Sequence, residues 1–330
     1  MTRLLVFSAT GGYRHASIPA GVDAVRELGA ADGFAVDATE DASAFTPANL
    51  GRYAAVVFMN TSGDVLDNSG RAALTSFVAA GRGYVGVHLA SGTEYGWPGY
   101  GTLVGARFDE HPEVQEATFV VEDRTHPATC HLPARWTRVD ELYNFRTNPR
   151  GDVRVLMTLD ESTYSGGTMG ADHPITWCHS RLGGPAFYTA AGHTPESYAE
   201  SGFLRLLLGG LRYAAGTVRW DDRPEAGLAA VHGPEDVDGW AGEWSGGVKF
   251  AWRQGATVRL GGREVPLDGT ARHVAGNSHG DWNTTELADE GGRLVGYLNG
   301  VQVLDLDSSG WGGEVTLSGG ALRRILRRTV

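Results

Sequence analysis

The chain has 330 residues, a formal net charge of −11 and a hydrophobic fraction of 42%. The hydrophobic fraction excludes a disordered chain, and the length predicts one α/β domain of about 200 residues followed by a smaller module. The basic residues are few and mostly scattered, which argues against a nucleic-acid partner. We interpret the one arginine cluster, Arg323-Arg324 with Arg327-Arg328, as part of a solvated edge strand.

The residue inventory excludes several further classes. Cys130 and Cys178 stand far apart, which favours neither a disulfide scaffold nor a thiolate zinc site. Lys249 is the only lysine and lies in the tail, so a Schiff-base mechanism in the first domain is excluded. The N-terminus reads as a short strand rather than a signal peptide, and no apolar run reaches membrane-spanning length. We therefore expect a cytoplasmic protein with no membrane partner.

The first part of the chain alternates apolar runs of strand length with amphipathic helical patterns. This alternation predicts a parallel sheet covered by helices on both faces. In such sheets, ligands bind beyond the carboxyl ends of the strands. The predicted strands are 4–7, 34–36, 54–58, 84–88, 153–157, 175–179 and 186–189, and the predicted helices are 18–29, 67–80 and 195–216, the last with Thr194 as its N-cap and Pro195 as its first residue.

The composition changes after Gly216. Short alternating runs separated by Gly, Asp and Asn turns predict an all-β module, and Asn299-Gly300 is a hairpin signal. We predict an α/β domain over 1–216, a linker over 217–236 that contains Gly233-Pro-Glu-Asp236, and a small sandwich-like β module over 237–330.

The segment Gly86-Val-His88-Leu-Ala90 has the pattern of a sharp turn after a buried strand. In α/β hydrolases and amidotransferases, this turn presents the Ser or Cys nucleophile. A histidine occupies that position here. We therefore expect a base or a metal ligand at residue 88, and no acyl transfer.

Three histidines, His15, His88 and His193, follow three predicted strands. If the strands are parallel, these side chains lie along one edge of the sheet. His111 and His173 belong to loops that could reach the same edge. The alternative for His15 is that it caps the first helix. The carboxylate candidate for this edge is Glu141.

Such a set of side chains has two chemical uses. Neutral imidazoles and a carboxylate bind a divalent metal such as zinc or manganese. Alternatively, histidine and glutamate transfer protons at a carbon next to a carbonyl. A nucleotide cofactor is not expected, because Gly11-Gly12 lacks a full phosphate-binding fingerprint. Four aromatic residues are either a sugar-stacking wall or core: Trp97, Tyr100, Tyr143 and Phe145.

Five separated motifs of the first part of the chain are Tyr13-Arg-His-Ala-Ser-Ile-Pro19, Gly86-Val-His88, Asp140-Glu-Leu-Tyr143, Asp172-His-Pro-Ile-Thr-Trp-Cys178 and Phe187-Tyr-Thr-Ala-Ala-Gly-His-Thr-Pro-Glu-Ser197. In order and spacing, they resemble the motifs of the ThuA-like (trehalose utilisation) family over about residues 3 to 215. That family is similar to class I glutamine amidotransferases, which implies a flavodoxin-like, doubly wound, mostly parallel sheet.

The tail carries a second resemblance. Its segments Asp281-Trp-Asn-Thr-Thr-Glu286 and Tyr297-Leu-Asn-Gly-Val-Gln-Val-Leu-Asp305 resemble the end of the 3-keto-disaccharide hydrolase domain, a concanavalin-like jelly roll, in abbreviated form.

The resemblances imply metabolism of glycosides after oxidation at C3 by a partner sugar dehydrogenase. Our hypothesis is a carbohydrate-active enzyme, a lyase or hydrolase, that cleaves or isomerises a 3-keto-glycoside. The alternatives are a non-catalytic sugar-binding or scaffold protein and a metal-dependent hydrolase of another small substrate. The expected catalytic residues, which are also the candidate metal ligands, are His88, Glu141, His193 and His111, and the expected substrate-binding residues are Arg14, His15, Tyr143 and His173.

Overall fold

The computed structural model describes residues 2–124, 126–218, 220, 222, 228–230, 237–243, 247–253, 257–265, 283–289, 293–298, 301–307, 309 and 313–328. The chain divides into two compact units. The first consists of Met1–Glu122, Arg135–Thr217 and Asp222–Pro224, and the second of Asp123–Ala134, Val218–Asp221 and Glu225–Val330. The predicted boundaries at residues 216 and 236 stay a prediction.

The first unit alternates strands and helices in its N-terminal half, as the sequence predicts. Its elements are β1 (Thr2–Phe7), α1 (Ile18–Asp32), β2 (Phe34–Thr39), α2 (Pro47–Leu50), β3 (Ala55–Met59), α3 (Asn68–Ala79), β4 (Gly83–Val87), α4 (Pro98–Val104), β5 (Phe108–Glu110), β6 (Gln115–Val121), β7 (Arg135–Asp140), β8 (Asn144–Phe145), β9 (Arg154–Leu159), β10 (Pro174–His179), β11 (Ala186–Thr189) and α5 (Ser201–Ala214).

Nine strands form the large sheet of this unit, in the order β2-β1-β3-β4-β11-β10-β9-β6-β7. The first five pair in parallel, and the others extend the sheet by antiparallel pairing. Strands β3 and β4 are buried along their whole length, which explains their unbroken apolar runs. This flavodoxin-like, mostly parallel sheet confirms the predicted fold class.

The topology places several strand ends together. Strands β1, β4 and β11 run in one direction because they belong to the parallel part. Four antiparallel steps then separate β11 from β7, so β7 runs the same way again. The residues that follow these four strands therefore lie along a single edge of the sheet.

The predicted start of the last helix of this unit is wrong. Residues Pro195–Ala199 form a short 3₁₀ turn, and α5 begins only at Ser201. Between them Glu200 has an extended backbone, with φ −78° and ψ 120°, and its carboxylate pairs with Arg138 at 3.1 Å. This extended residue prevents one continuous helix.

The second unit contains an antiparallel sheet, which confirms the predicted β module. The hairpin turn Asn299-Gly300, the segment 233–236 and residues 281–282 of the 281–286 motif lie outside the described residues. Strand β12 falls inside the predicted linker. The strands are β12 (Leu228–Ala230), β13 (Val237–Glu243), β14 (Gly247–Arg253), β15 (Thr257–Leu260), β16 (Arg263–Val265), β17 (Asn283–Asp289), β18 (Arg293–Leu298), β19 (Val301–Asp307) and β20 (Glu314–Arg328).

The interpretation of the arginine cluster as part of an edge strand is wrong. Strand β20 pairs with β12 on one side and with β14 on the other, so Arg327 has a strand neighbour on both sides. A strand of 15 residues is long enough to pair with several shorter ones along its length. In the described part of the chain, no helix has both the length and the apolar character needed to cross a membrane.

Candidate active site

His88 occupies the sharp turn at the end of β4, as the sequence predicts. Its φ is +51°, in the left-handed region that a residue with a side chain adopts at a cost of about 1 to 3 kcal/mol. The ring is fully buried, and its Nδ1 lies 2.5 Å from the carbonyl oxygen of Ala190. Because a carbonyl only accepts, Nδ1 carries the hydrogen, and the lone pair of a neutral ring is on Nε2.

Nε2 of His88 faces three polar atoms. The Tyr143 hydroxyl is 2.8 Å away, and that ring stacks on the His88 ring with centroids 4.2 Å apart. Glu141 Oε2 and His193 Nδ1 each lie 3.2 Å from the same nitrogen. These two side chains are also 3.1 Å from each other. His88 Nε2, Glu141 Oε2 and His193 Nδ1, which come from three different loops, thus form a small triangle of atoms that can each bind a metal.

His15 completes the cluster from the loop after β1. Its ring meets the rings of His88 and His193 edge to face, with centroids 4.7 and 4.9 Å away. Its Nδ1 is buried and has no hydrogen-bond partner among the described residues. The ligand atoms of all four side chains, His15, His88, Glu141 and His193, lie within 4.8 Å of one another.

His111 approaches from the solvent side, where its side chain is 42% exposed against 8% for Glu141. Its Nδ1 is 3.2 Å from Glu141 Oε1, the carboxylate oxygen outside the triangle. The Phe108 ring packs against the ring of Tyr143 and lies near that of His111, with centroids 4.3 and 5.8 Å away. His111 is therefore at the mouth of the cluster.

The surroundings shift the pKa values of the cluster residues in different directions. Burial raises the pKa of Glu141, but hydrogen bonds and charges from His193 and His88 outweigh burial and hold this pKa below its ordinary value. Burial lowers the pKa of His193, yet the Glu141 carboxylate raises it by more. Burial and the nearby His88 and His193 lower the pKa of His15 to about 3. At neutral pH, Glu141 is therefore ionised and His15 is neutral.

Two of the predicted substrate-binding residues have other partners. His173 is fully buried, and its two nitrogens face Glu161 Oε1 and the Tyr143 carbonyl oxygen, each at 2.8 Å. It therefore supports the Tyr143 backbone and does not line the site, which corrects the expectation that it contacts substrate. Arg14 is half exposed and pairs with Glu40 at 2.6 Å.

Of the four aromatic residues considered as a stacking wall, three are core. Tyr100, Tyr143 and Phe145 are at most 4% exposed. Tyr143 nevertheless points its hydroxyl into the cluster. The exposed aromatic ring next to the cluster belongs instead to Tyr13, which is 67% exposed and meets the His15 ring edge to face at 4.8 Å.

Asp140 has a role in this site that is not among the predicted ones. Its carboxylate is fully buried and accepts hydrogen bonds from the backbone N–H groups of Glu141, Gly192 and His193, at 2.9, 2.9 and 3.0 Å. The available signal was its place at the predicted edge, directly before the candidate Glu141.

Comparisons with known proteins agree with this fold. In the solved structure of a ThuA-like protein from Bacteroides uniformis, 24% of aligned residues are identical, the TM-score is 0.57, and the match covers 64% of this chain and 91% of that one. A ThuA-like protein from Parabacteroides merdae gives 21% identity and a TM-score of 0.56, with 66% and 90% covered. Among curated proteins, no match is found.

The family assignment rests on the sequence profile of ThuA, described as trehalose utilisation, which matches residues 3–214. This range includes the whole cluster. The resemblance of the tail to the 3-keto-disaccharide hydrolase domain stays a prediction. Because the profile spans more than half of the 330 residues, the chain belongs to the ThuA family, which links it to carbohydrate utilisation.

Proposed function

We propose that this protein is an enzyme that acts on a keto-glycoside, a sugar derivative with a carbonyl group in its ring, and that His88, Glu141 and His193 hold a divalent metal. The observation that carries the proposal is the triangle of their donor atoms, with sides of 3.2, 3.2 and 3.1 Å. Donor atoms of a tetrahedral zinc site, about 2.0 to 2.1 Å from the ion, are about 3.3 Å apart.

The hydrogen-bond pattern supports a metal at this triangle. With its hydrogen on Nδ1, a neutral His88 directs a lone pair from Nε2 at Glu141 Oε2, which is also an acceptor, across 3.2 Å. Either a proton on Nε2, which gives the ion pair that lowers the pKa of Glu141, or a cation shared by the two atoms makes this contact attractive. The Nδ1–H bond to a backbone carbonyl is also the arrangement that orients metal-binding histidines.

A divalent ion bound there would polarise a substrate carbonyl or a water molecule. The residues of the chain have separate tasks around it. Glu141 supplies a carboxylate that is already ionised, because its pKa is held low. His111, outside the triangle and half exposed, is placed to move a proton on the substrate side. Tyr143 offers a hydroxyl beside His88.

The reaction that suits these groups is elimination. A carbonyl at C3 of the sugar acidifies the hydrogen on C2, and a base removes it as a proton. The electron pair of that C–H bond forms the C1–C2 double bond while the C1–O bond breaks, and the departing oxygen takes a proton. Water then adds to the unsaturated ketone. Neither a serine nor a cysteine nucleophile is needed, which agrees with a histidine at the elbow.

Tyr13 supplies a surface for the sugar. Apolar and aromatic side chains line most ligand sites, and the apolar face of a sugar ring can lie against an exposed aromatic ring. The loop that carries Tyr13 is held in place by a hydrogen bond from the Ser62 hydroxyl to the carbonyl oxygen of Tyr13, at 2.6 Å. A keto-glycoside bound between Tyr13 and His111 would meet the cluster. A partner dehydrogenase that oxidises the sugar hydroxyl would have to supply this substrate.

The test uses 4-nitrophenyl 3-keto-glucoside and the zinc-loaded protein. We expect release of 4-nitrophenol well above the uncatalysed rate, no release from the unoxidised glucoside, and loss of both zinc and release in His88→Ala. Release that survives His88→Ala would refute the assigned site. Binding of the keto-glucoside without any release would instead favour a non-catalytic sugar-binding protein, and hydrolysis of only simple esters or amides would favour a different substrate class.

A further inference from the structure

Asp140 ties together the two chain segments that carry Glu141 and His193. It is the last residue of β7, and its carboxylate is fully buried. One oxygen accepts hydrogen bonds from the N–H groups of Glu141 and His193, at 2.9 and 3.0 Å. The other accepts from the N–H of Gly192 at 2.9 Å. Gly192 and His193, which follow Asp140 by 52 and 53 positions in the chain, are thus bound to the same carboxylate as Glu141.

A buried arginine neutralises this carboxylate. Arg138 donates to Asp140 Oδ2 at 2.6 Å, and its side chain is only 2% exposed. Arg138 is itself held by Ser197 Oγ at 3.0 Å and by Glu200 at 3.1 Å. A buried ion pair that is held by further hydrogen bonds is rigid, and removing one partner leaves an uncompensated charge. Asp140 therefore has a fixed position relative to both segments.

The Gly192 peptide is held on its carbonyl side as well. Its oxygen accepts from Tyr198 at 3.2 Å and from Ser17 at 3.4 Å. Two residues earlier, the carbonyl of Ala190 accepts from the His88 ring. The turn that presents His193 is thus fixed to β4 by Ala190 and to β7 by Asp140.

We propose that Asp140 is the positioning residue of the site: its carboxylate sets the 3.1 Å separation between Glu141 Oε2 and His193 Nδ1. This inference rests on the proposed function, in which the two atoms bind one metal ion. Groups that orient metal ligands by hydrogen bonds, without binding the metal, contribute about 10- to 100-fold to metal affinity. Asp140 acts on the backbone of the ligands and does not contact the metal itself.

A matched control exists in the same unit. Glu94 is also a fully buried carboxylate that accepts two backbone N–H groups, from Val65 and Leu66 at 2.9 and 2.7 Å, and pairs with an arginine, Arg71. Neither Val65 nor Leu66 belongs to the cluster. Glu94→Gln therefore reproduces the structural damage of Asp140→Asn without displacing a proposed ligand.

The test compares the zinc affinity of the full-length wild type, Asp140→Asn and Glu94→Gln, measured by competition with a chromogenic chelator, together with the melting temperature of each. We expect both variants to melt earlier, but only Asp140→Asn to bind zinc about 10- to 100-fold more weakly. Should Asp140→Asn prove unfolded by circular dichroism, Asp140→Glu replaces it, because the longer side chain keeps the charge but misplaces the oxygens.

Two results would overturn the inference while leaving the metal site intact: an unchanged zinc affinity in the Asp140 variant, or an equal loss in Glu94→Gln. Failure of the wild type itself to bind zinc would overturn the metal site and this inference together. The wild-type titration thus separates the two failures.

Discussion

The histidines of the cluster differ in what their hydrogen bonds allow them to do. His88 has its Nδ1 committed to a backbone carbonyl, so only Nε2 serves the site. His15 is neutral at neutral pH, because its pKa is lowered to about 3 by burial and by the neighbouring histidines. His111 alone is substantially exposed to solvent. These environments are the reason why we propose His88 as a metal ligand and His111 as the group that transfers a proton.

Replacing His111 with alanine separates these two roles. We expect His111→Ala to retain zinc at wild-type stoichiometry, because its ring is outside the triangle, and to lower kcat on a keto-glycoside by about 10²- to 10⁴-fold. Val114→Ala, at an exposed position in the following loop, is the control and leaves kcat unchanged. Zinc loss in His111→Ala, or an undiminished kcat, would show that the assignment is wrong.

Among the elements, the turn after β11 depends most on its backbone. Gly192 has a φ of +110°, and a Cβ there would lie 2.9 Å from Tyr198 Oη and 3.0 Å from Phe203 Cζ. Gly33, which ends α1, also has a positive φ of 81°, but a Cβ there would meet nothing within 4 Å. Backbone strain is thus common to both positions, whereas crowding occurs at one.

We therefore predict different effects for Gly192→Ala and Gly33→Ala. Each substitution costs about 1 to 2 kcal/mol of stability from strain, measured by urea unfolding. Only Gly192→Ala should also weaken zinc binding, because the crowded turn must shift and carries His193 with it. Equal zinc affinity in the two variants would argue that the turn does not position His193.

Strand β10 contains a histidine that makes stability depend on pH. His179 is buried, its Nε2 donates to the Leu103 carbonyl oxygen at 3.0 Å, and its Nδ1 accepts from the N–H of Arg181 at 3.4 Å. This pattern requires a neutral ring. Burial, with a smaller contribution from Arg181, lowers its pKa from 6.5 to about 4.

Between pH 6.5 and 4, the unfolded chain binds a proton at His179 that the folded chain does not, so stability falls as the pH falls through this window. Because of His179, the free energy of unfolding should decrease by about 2 kcal/mol as the pH falls from 7 to 5. His179→Gln, which can still donate to Leu103, should lose less stability over the same interval in urea unfolding experiments. Identical pH dependence in the two proteins would contradict this prediction.

At the scale of the whole molecule, the edge of the parallel sheet could be predicted from the sequence. Glu141, His111 and Tyr143 could be named as candidates, but the strands that bring them to this edge could not be predicted. His15, His88 and His193 each follow an apolar run, so the parallel order alone brings them together. Glu141 reaches them through β6 and β7, an antiparallel extension whose strands do not appear among the predicted ones.

Side-chain direction and long-range pairing account for the wrong expectations. A loop position does not reveal which way a ring points, so His173 was expected in the site although it lies buried behind Tyr143. The break before α5 arises from the pairing of Glu200 with Arg138, 62 residues away, which no local pattern contains. Whether the gathered residues are catalytic stays a prediction.

The central claim is that His88, Glu141 and His193 bind one divalent metal. The most direct test is a crystal structure of the protein with equimolar zinc, measured at the zinc absorption edge. We expect a single strong anomalous peak about 2.0 to 2.2 Å from His88 Nε2, Glu141 Oε2 and His193 Nδ1. A well-ordered cluster without an anomalous peak at that position would contradict the account.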